Sequence, residues 1–158
     1  MRKRFVSMLL AASMALASPT IAFSEDSEQS VLTENIISRL IYAESTDNPN
    51  AYNPRTGATG YMQITPIVLE EWNMLNPSRK YTMDEMYDIT KNLEVGKWYL
   101  ARLENHYLPF YNLEPSLENI IVAWNWGPNN LRRLGDALEN FSDLPVESRD
   151  LIEKVRGF

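Results

Sequence analysis

The chain has 158 residues, with 15 Lys and Arg against 21 Asp and Glu, a formal charge of −6 and no cysteine. This composition excludes a disulfide framework, a thiolate metal centre and a lipid-modified cysteine. Its acidity argues against nucleic acid or anionic lipid as partner, because both are bound through clustered Lys and Arg.

Residues 1–24 read as a signal peptide and its cleavage region. Met1-Arg2-Lys3-Arg4 is a basic start, Phe5 to Ala17 an apolar run, and Ala15-Leu16-Ala17 or Thr20-Ile21-Ala22 a small-residue cleavage site. The apolar run is too short to cross ~30 Å of hydrocarbon, so no stable membrane anchor is expected and the mature protein is placed in the periplasm or another exported compartment. Loss of Arg2, Lys3 and Arg4 brings the charge to about −9. Residues 25–32 read as a short, acidic, disordered leader, and 33–158 as one domain.

Within that domain the first helix is capped by Thr33 and ends beyond Glu44, before Asn48-Pro49. An irregular lobe with at most a minimal hairpin follows, to Thr59. Helices are predicted at Pro66 to Leu75 behind a Thr65 cap, Met83 to about Ile89, Lys91 to Tyr107, Leu117 to Asn125, about Asn129 to Leu138, and Glu147 to Arg156. Thr82-Met83-Asp84-Glu85 has the form of a capping box. No alternating strand series appears, so the fold class is mainly α, a single globular helical domain with at most a small β element.

The first helix carries the chemical signal. Ile37, Leu40, Ile41 and Glu44 share one stripe, so an acid follows three aliphatic residues on the face that packs inward. Desolvation and the negative end of the helix dipole both favour its protonated form, as a general acid needs near neutral pH. The plainer reading is a Glu at the helix rim with its head in solvent.

Two other segments stand out. Gly57-Ala58-Thr59-Gly60-Tyr61-Met62-Gln63-Ile64-Thr65-Pro66 is a Gly-punctuated turn into a helix, and Ala123-Trp124-Asn125-Trp126-Gly127-Pro128 ends a helix with an Asn between two indoles. With Glu44-Ser45 and Asn92-Leu93-Glu94-Val95-Gly96-Lys97-Trp98-Tyr99-Leu100, they resemble the ordered signature of the family 1 lytic transglycosylases. This is the soluble lytic transglycosylase (SLT) domain, with its goose-type-lysozyme-like fold in the α+β lysozyme-like superfamily. The resemblance runs from roughly Ile36 to Val155.

That resemblance implies a lyase acting on the glycan strands of peptidoglycan. One glutamic acid, here Glu44, protonates the oxygen leaving N-acetylmuramic acid (MurNAc), then takes the proton of that sugar's C6 hydroxyl as a 1,6-anhydro ring closes. It maps Gln63, Asn125, Met62, Trp124 and Ser45 to the substrate side of the cleft. For each a plainer role stands beside it: a loop-stabilising amide, core filler, or for Ser45 a helix-end hydrogen bond. Asp47, three residues after Glu44, either shares its side or caps the turn.

Two departures mark the chain. Trp124 stands where the family has Tyr, and Leu151 where a Tyr that hydrogen-bonds the acid is usual. The missing phenol leaves Glu44 less well oriented, or passes its task to Tyr42, Tyr61 or a water. No metal or cofactor is expected, since His106 is the only His and the stretch from Asp47 to Asn53 lacks the Gly and closing Glu of a calcium loop. A goose-type-like lysozyme and a weakly catalytic muramyl-binding module of a secretion, conjugation or phage machine remain open alternatives, and with them a cell-envelope protein complex as partner.

Overall fold

The structure is a computed structural model that describes residues 30–157. The signal peptide expected at 1–24 and the first part of the leader lie outside the described residues. The elements are α1 (Glu34–Ser45), a hairpin of β1 (Tyr52–Asn53) and β2 (Ala58–Thr59), α2 (Pro66–Leu75), a single turn at Asp84–Tyr87, α3 (Ile89–Arg102), a wide turn at Leu103–Tyr107, α4 (Leu108–Phe110), α5 (Leu117–Trp126), α6 (Pro128–Leu134) and α7 (Val146–Arg156). The domain is mainly α. Its sheet is an antiparallel pair with Tyr52 opposite Thr59 and Asn53 opposite Ala58.

α5 is the central helix. Ile120, Ile121, Val122 and Ala123 are all buried, and so are its polar residues Glu118 and Asn119. A helix apolar on all sides belongs between others, and α5 packs on both α6 and α7. Its buried polar groups are matched: Arg156 pairs with Glu118 at 3.1 Å, and Asn119 accepts the N–H of Ala137 while donating to Glu114 O and Asp136 Oδ2. α1 lays Ile37, Leu40 and Ile41 against Leu151, Ile152 and Val155 of α7 in the same core.

Several boundaries differ from the sequence expectation. Thr33 caps α1 through Ile36 N–H, but Thr65 makes no cap bond, and Pro66 alone starts α2. α6 stops at Leu134, not Leu138, because the chain turns at Gly135 and Asp136 captures the N–H groups of Leu138 and Glu139. The segment from Met83 makes only one tight turn, with Glu85 accepting the Thr82 N–H at 2.9 Å. α3 starts at an Asp88 cap and leads directly through the wide turn into α4. Ser30 and Val31, expected in a disordered leader, are held: buried Glu104 accepts the Ser30 hydroxyl and the Val31 N–H.

The turn from Thr59 to Ile64 is clamped to α3. Asn92, fully buried, accepts the Met62 N–H at 2.7 Å and donates to Thr59 O at 3.0 Å and Met86 O at 2.7 Å. Two glycines allow the close approach. A Cβ on Gly60, at φ +79°, would lie 2.0 Å from Met86 O, and one on Gly96 would lie 2.3 Å from Met62 Sδ. Thr59 O keeps the Ile64 N–H as a partner, so Asn92→Ala should orphan the Met62 N–H and Met86 O and cost about 2 kcal/mol or more at ~1–3 kcal/mol each. Denaturant unfolding checks this, and a loss below about 1 kcal/mol would mean that water replaces the amide.

Candidate active site

Glu44 occupies the last turn of α1, where the stripe of Ile37, Leu40 and Ile41 reaches the surface. The chain then leaves the helix through two left-handed residues, Thr46 at φ 52° and Asp47 at φ 60°. Gln63 is also left-handed, at φ 53°. Such non-glycine geometry costs about 1–3 kcal/mol per residue, and of the four such residues described, all but Asn112 either closely follow Glu44 in the chain or line the cavity beside it.

A cavity of about 390 Å³ opens beside Glu44. The hairpin contributes Asn53, Arg55, Thr56 and Ala58, the turn contributes Gln63 and Thr65, α5 contributes Trp124, Asn125 and Trp126, and Pro145 and Glu147 complete the wall at the start of α7. A smaller cavity shares Gln63, Thr65 and Trp124 with it, and a third, reaching Glu71, Asn129 and Arg133, shares Val68 and Tyr99 with the second. The three form a run across one face.

Burial pushes the Glu44 carboxyl up from the ordinary 4.5 to about 7. A hydrogen bond from the Trp124 indole and the positive charge of Lys154 on α7 oppose that shift without cancelling it. Trp124 Nε1 donates to Glu44 Oε1 at 2.9 Å, and its ring lies 5.8 Å from that of Tyr99. The task of the missing phenol thus does not pass to the tyrosines named from the sequence. Tyr42 is 63% exposed, and the Tyr61 hydroxyl is directed at Asp47 at 3.4 Å. Leu151 is part of the core against α1.

The other sequence-predicted residues divide. Gln63 lines the cavity, and its Nε2 donates to Ala51 O and Gly60 O, which leaves the amide oxygen for a ligand. Asn125 also lines it, with Oδ1 accepting from Ser148 Oγ at 2.7 Å and the amide nitrogen left as donor. Ser45 and Met62 do not belong to the cavity wall. The Ser45 hydroxyl donates to Tyr61 O at 2.7 Å and ties the turn to α1, and Met62 is 0% exposed under Gly96.

Sequence reasoning missed Arg55, Glu147 and Ser148. Ser148 and Glu147 lie in the helix predicted from Glu147 to Arg156, but a helix face cannot be assigned to the cleft until α7 is docked. Arg55 sits in the hairpin turn, where spacing carries no facing information.

The chain belongs to the transglycosylase SLT domain family, whose sequence signature spans residues 21–143. Among curated proteins it is similar to membrane-bound lytic murein transglycosylase E of Buchnera aphidicola subsp. Acyrthosiphon pisum, 28% identical over 124 residues, which are 77% of this chain and 53% of that protein. It is also similar to membrane-bound lytic murein transglycosylase C of Edwardsiella ictaluri, 30% identical over 115 residues, 68% of this chain and 31% of that protein. The protein of the same name from Actinobacillus succinogenes is 29% identical over 137 residues, 82% and 35% of the two chains. The chain therefore spans about half or less of the length of these relatives. No solved structure is significantly similar to it.

The raised carboxyl carries a consequence for stability. Between 4.5 and about 7 the folded protein keeps a proton on Glu44 that the unfolded chain has released. Stability contributed by that proton is full below this window and falls as pH rises through it, by about 3 kcal/mol in all at 1.36 kcal/mol per pH unit. Glu44→Gln should remove this dependence, melting as wild type near the lower limit and higher than wild type above the upper one. Equal pH dependence of melting in the two proteins would show that the carboxyl is not desolvated.

Proposed function

We propose that this domain is a peptidoglycan lytic transglycosylase, with Glu44 as the general acid and then the base. The observation that carries the reading is a largely buried carboxyl, raised to about 7, on the wall of the first of three cavities that run across one face. Such a run suits a polymeric glycan better than a compact ligand, and the curated relatives bear the name of lytic murein transglycosylases.

In the first step the neutral acid donates its proton to the glycosidic oxygen as the bond to C1 of MurNAc breaks, giving N-acetylglucosamine as the alcohol leaving group. The cationic sugar is stabilised by its own 2-acetamido group. In the second step the Glu44 carboxylate takes the proton of the C6 hydroxyl while that oxygen bonds to C1, so the acid is regenerated and no water is consumed. Gln63, through its free oxygen, and Asn125, through its nitrogen, supply an acceptor and a donor beside the reacting sugar. A protein poor in cations meets an anionic wall polymer here through hydrogen bonds and ring faces.

One observation favours a hydrolytic second reading: Glu147 lines the same cavity from the start of α7. Hydrolysis with inversion pairs an acid with a second carboxylate that activates water. The products separate the two. Mass spectrometry of muropeptides released from purified sacculi should show 1,6-anhydro ends, lost by at least about a hundredfold in Glu44→Gln and retained in Glu147→Gln. Reducing ends, lost in both variants, would establish hydrolysis, and no release by wild type would favour a muramyl-binding module.

A further inference from the structure

We propose that Trp124 is the positioning residue of the Glu44 carboxyl: its indole N–H keeps Oε1 as a standing acceptor, so that Oε2 is the oxygen that releases and recovers the proton. This rests on the reading of Glu44 as acid and base, and adds to it which oxygen acts.

The argument is one of donor and acceptor chemistry. The indole N–H can only donate, unlike a hydroxyl or a water, which can reverse its hydrogen bond to suit either protonation state. At 2.9 Å from Trp124 Nε1, Oε1 accepts in both states of the carboxyl. In the neutral acid the better acceptor is the carbonyl oxygen, so the hydroxyl is Oε2. A base that recovers the proton on the same oxygen needs no rotation of the carboxyl between the two steps.

The donor is itself held. Trp124 lies on α5 next to fully buried Ala123, its ring packs on Tyr99, and one edge remains on the cavity wall. Charged groups reach this region from the hairpin, Arg55, and from α7, Glu147 and Lys154, while Asp47 just after α1 accepts the Tyr61 hydroxyl at 3.4 Å. Lys154 acts on Glu44 through space, and among the described residues none of the four hydrogen-bonds to it. Directional control of the carboxyl therefore falls to the indole.

The test replaces the N–H alone. Trp124→Phe keeps an aromatic ring, and an analogue at position 124 with benzothiophene sulfur in place of N–H keeps the whole indole shape. Both should lower kcat by about tenfold or more, the scale of a lost hydrogen bond to a charged group, with KM within about twofold. The ionisation assigned to Glu44 by its absence in Glu44→Gln should move to higher pH, because the lost bond favoured the carboxylate. The infrared carbonyl band of protonated Glu44 should shift to higher frequency when its acceptor role ends. An analogue protein with wild-type kcat, pH profile and band would overturn the proposal and leave Trp124 a packing residue. If Glu44→Gln itself stays active, the catalytic reading fails, and the infrared band still decides whether the indole holds Oε1.

Discussion

Asn92 of α3 holds the Thr59–Ile64 turn through Met62 N–H and Thr59 O and the neighbouring turn through Met86 O, and the wall that Gln63 presents to the cavity beside Glu44 depends on that clamp. The turn carries Gln63 in a left-handed conformation that an isolated loop would not keep. Met62 wedges beneath it against Gly96, so the turn is anchored from below by packing as well as by hydrogen bonds. On the far wall, Ser148 of α7 fixes Asn125 in the same manner, a buried hydroxyl orienting an exposed amide. Both amides are thereby presented on rigid supports, which a site needs if its hydrogen bonds are to discriminate between sugar groups.

The site runs against the stability of the domain that holds it. A desolvated carboxyl, two successive left-handed residues after α1 and a third at Gln63 are all unfavourable locally. The compensation lies in the all-round burial of α5 and in the contacts of α1 with α7, which do not depend on the cleft. Glu44 is placed at the end of α1 for this reason: three aliphatic residues on its stripe fix the helix, and the acid is carried to the cavity edge by the same periodicity.

Leu151 supplies no polar atom and completes the core, while the donor to the acid comes from Trp124 on α5. The indole bond lowers the carboxyl more than the charge of Lys154 does, yet the two together do not cancel the effect of burial, and the acid stays raised to about 7.

Local spacing determined what depends on neighbours along the chain. The stripe of Ile37, Leu40 and Ile41, the Thr33 cap, the Pro66 start of α2 and the short hairpin were all legible, because each is decided within a few residues. The acid at the end of that stripe was legible for the same reason. The direction of the Ser45 hydroxyl, the burial of Met62, the arrival of Glu147 at the cavity and the indole of Trp124, 80 residues from Glu44 in sequence, were not. The first two depend on how the Thr59–Ile64 turn seats between α1 and α3, the last two on how α5 and α7 pack beside α1, and a residue's type and spacing do not say which of several equally apolar faces will meet which. Sequence periodicity names the side of a helix that is buried; tertiary packing alone decides what that side touches.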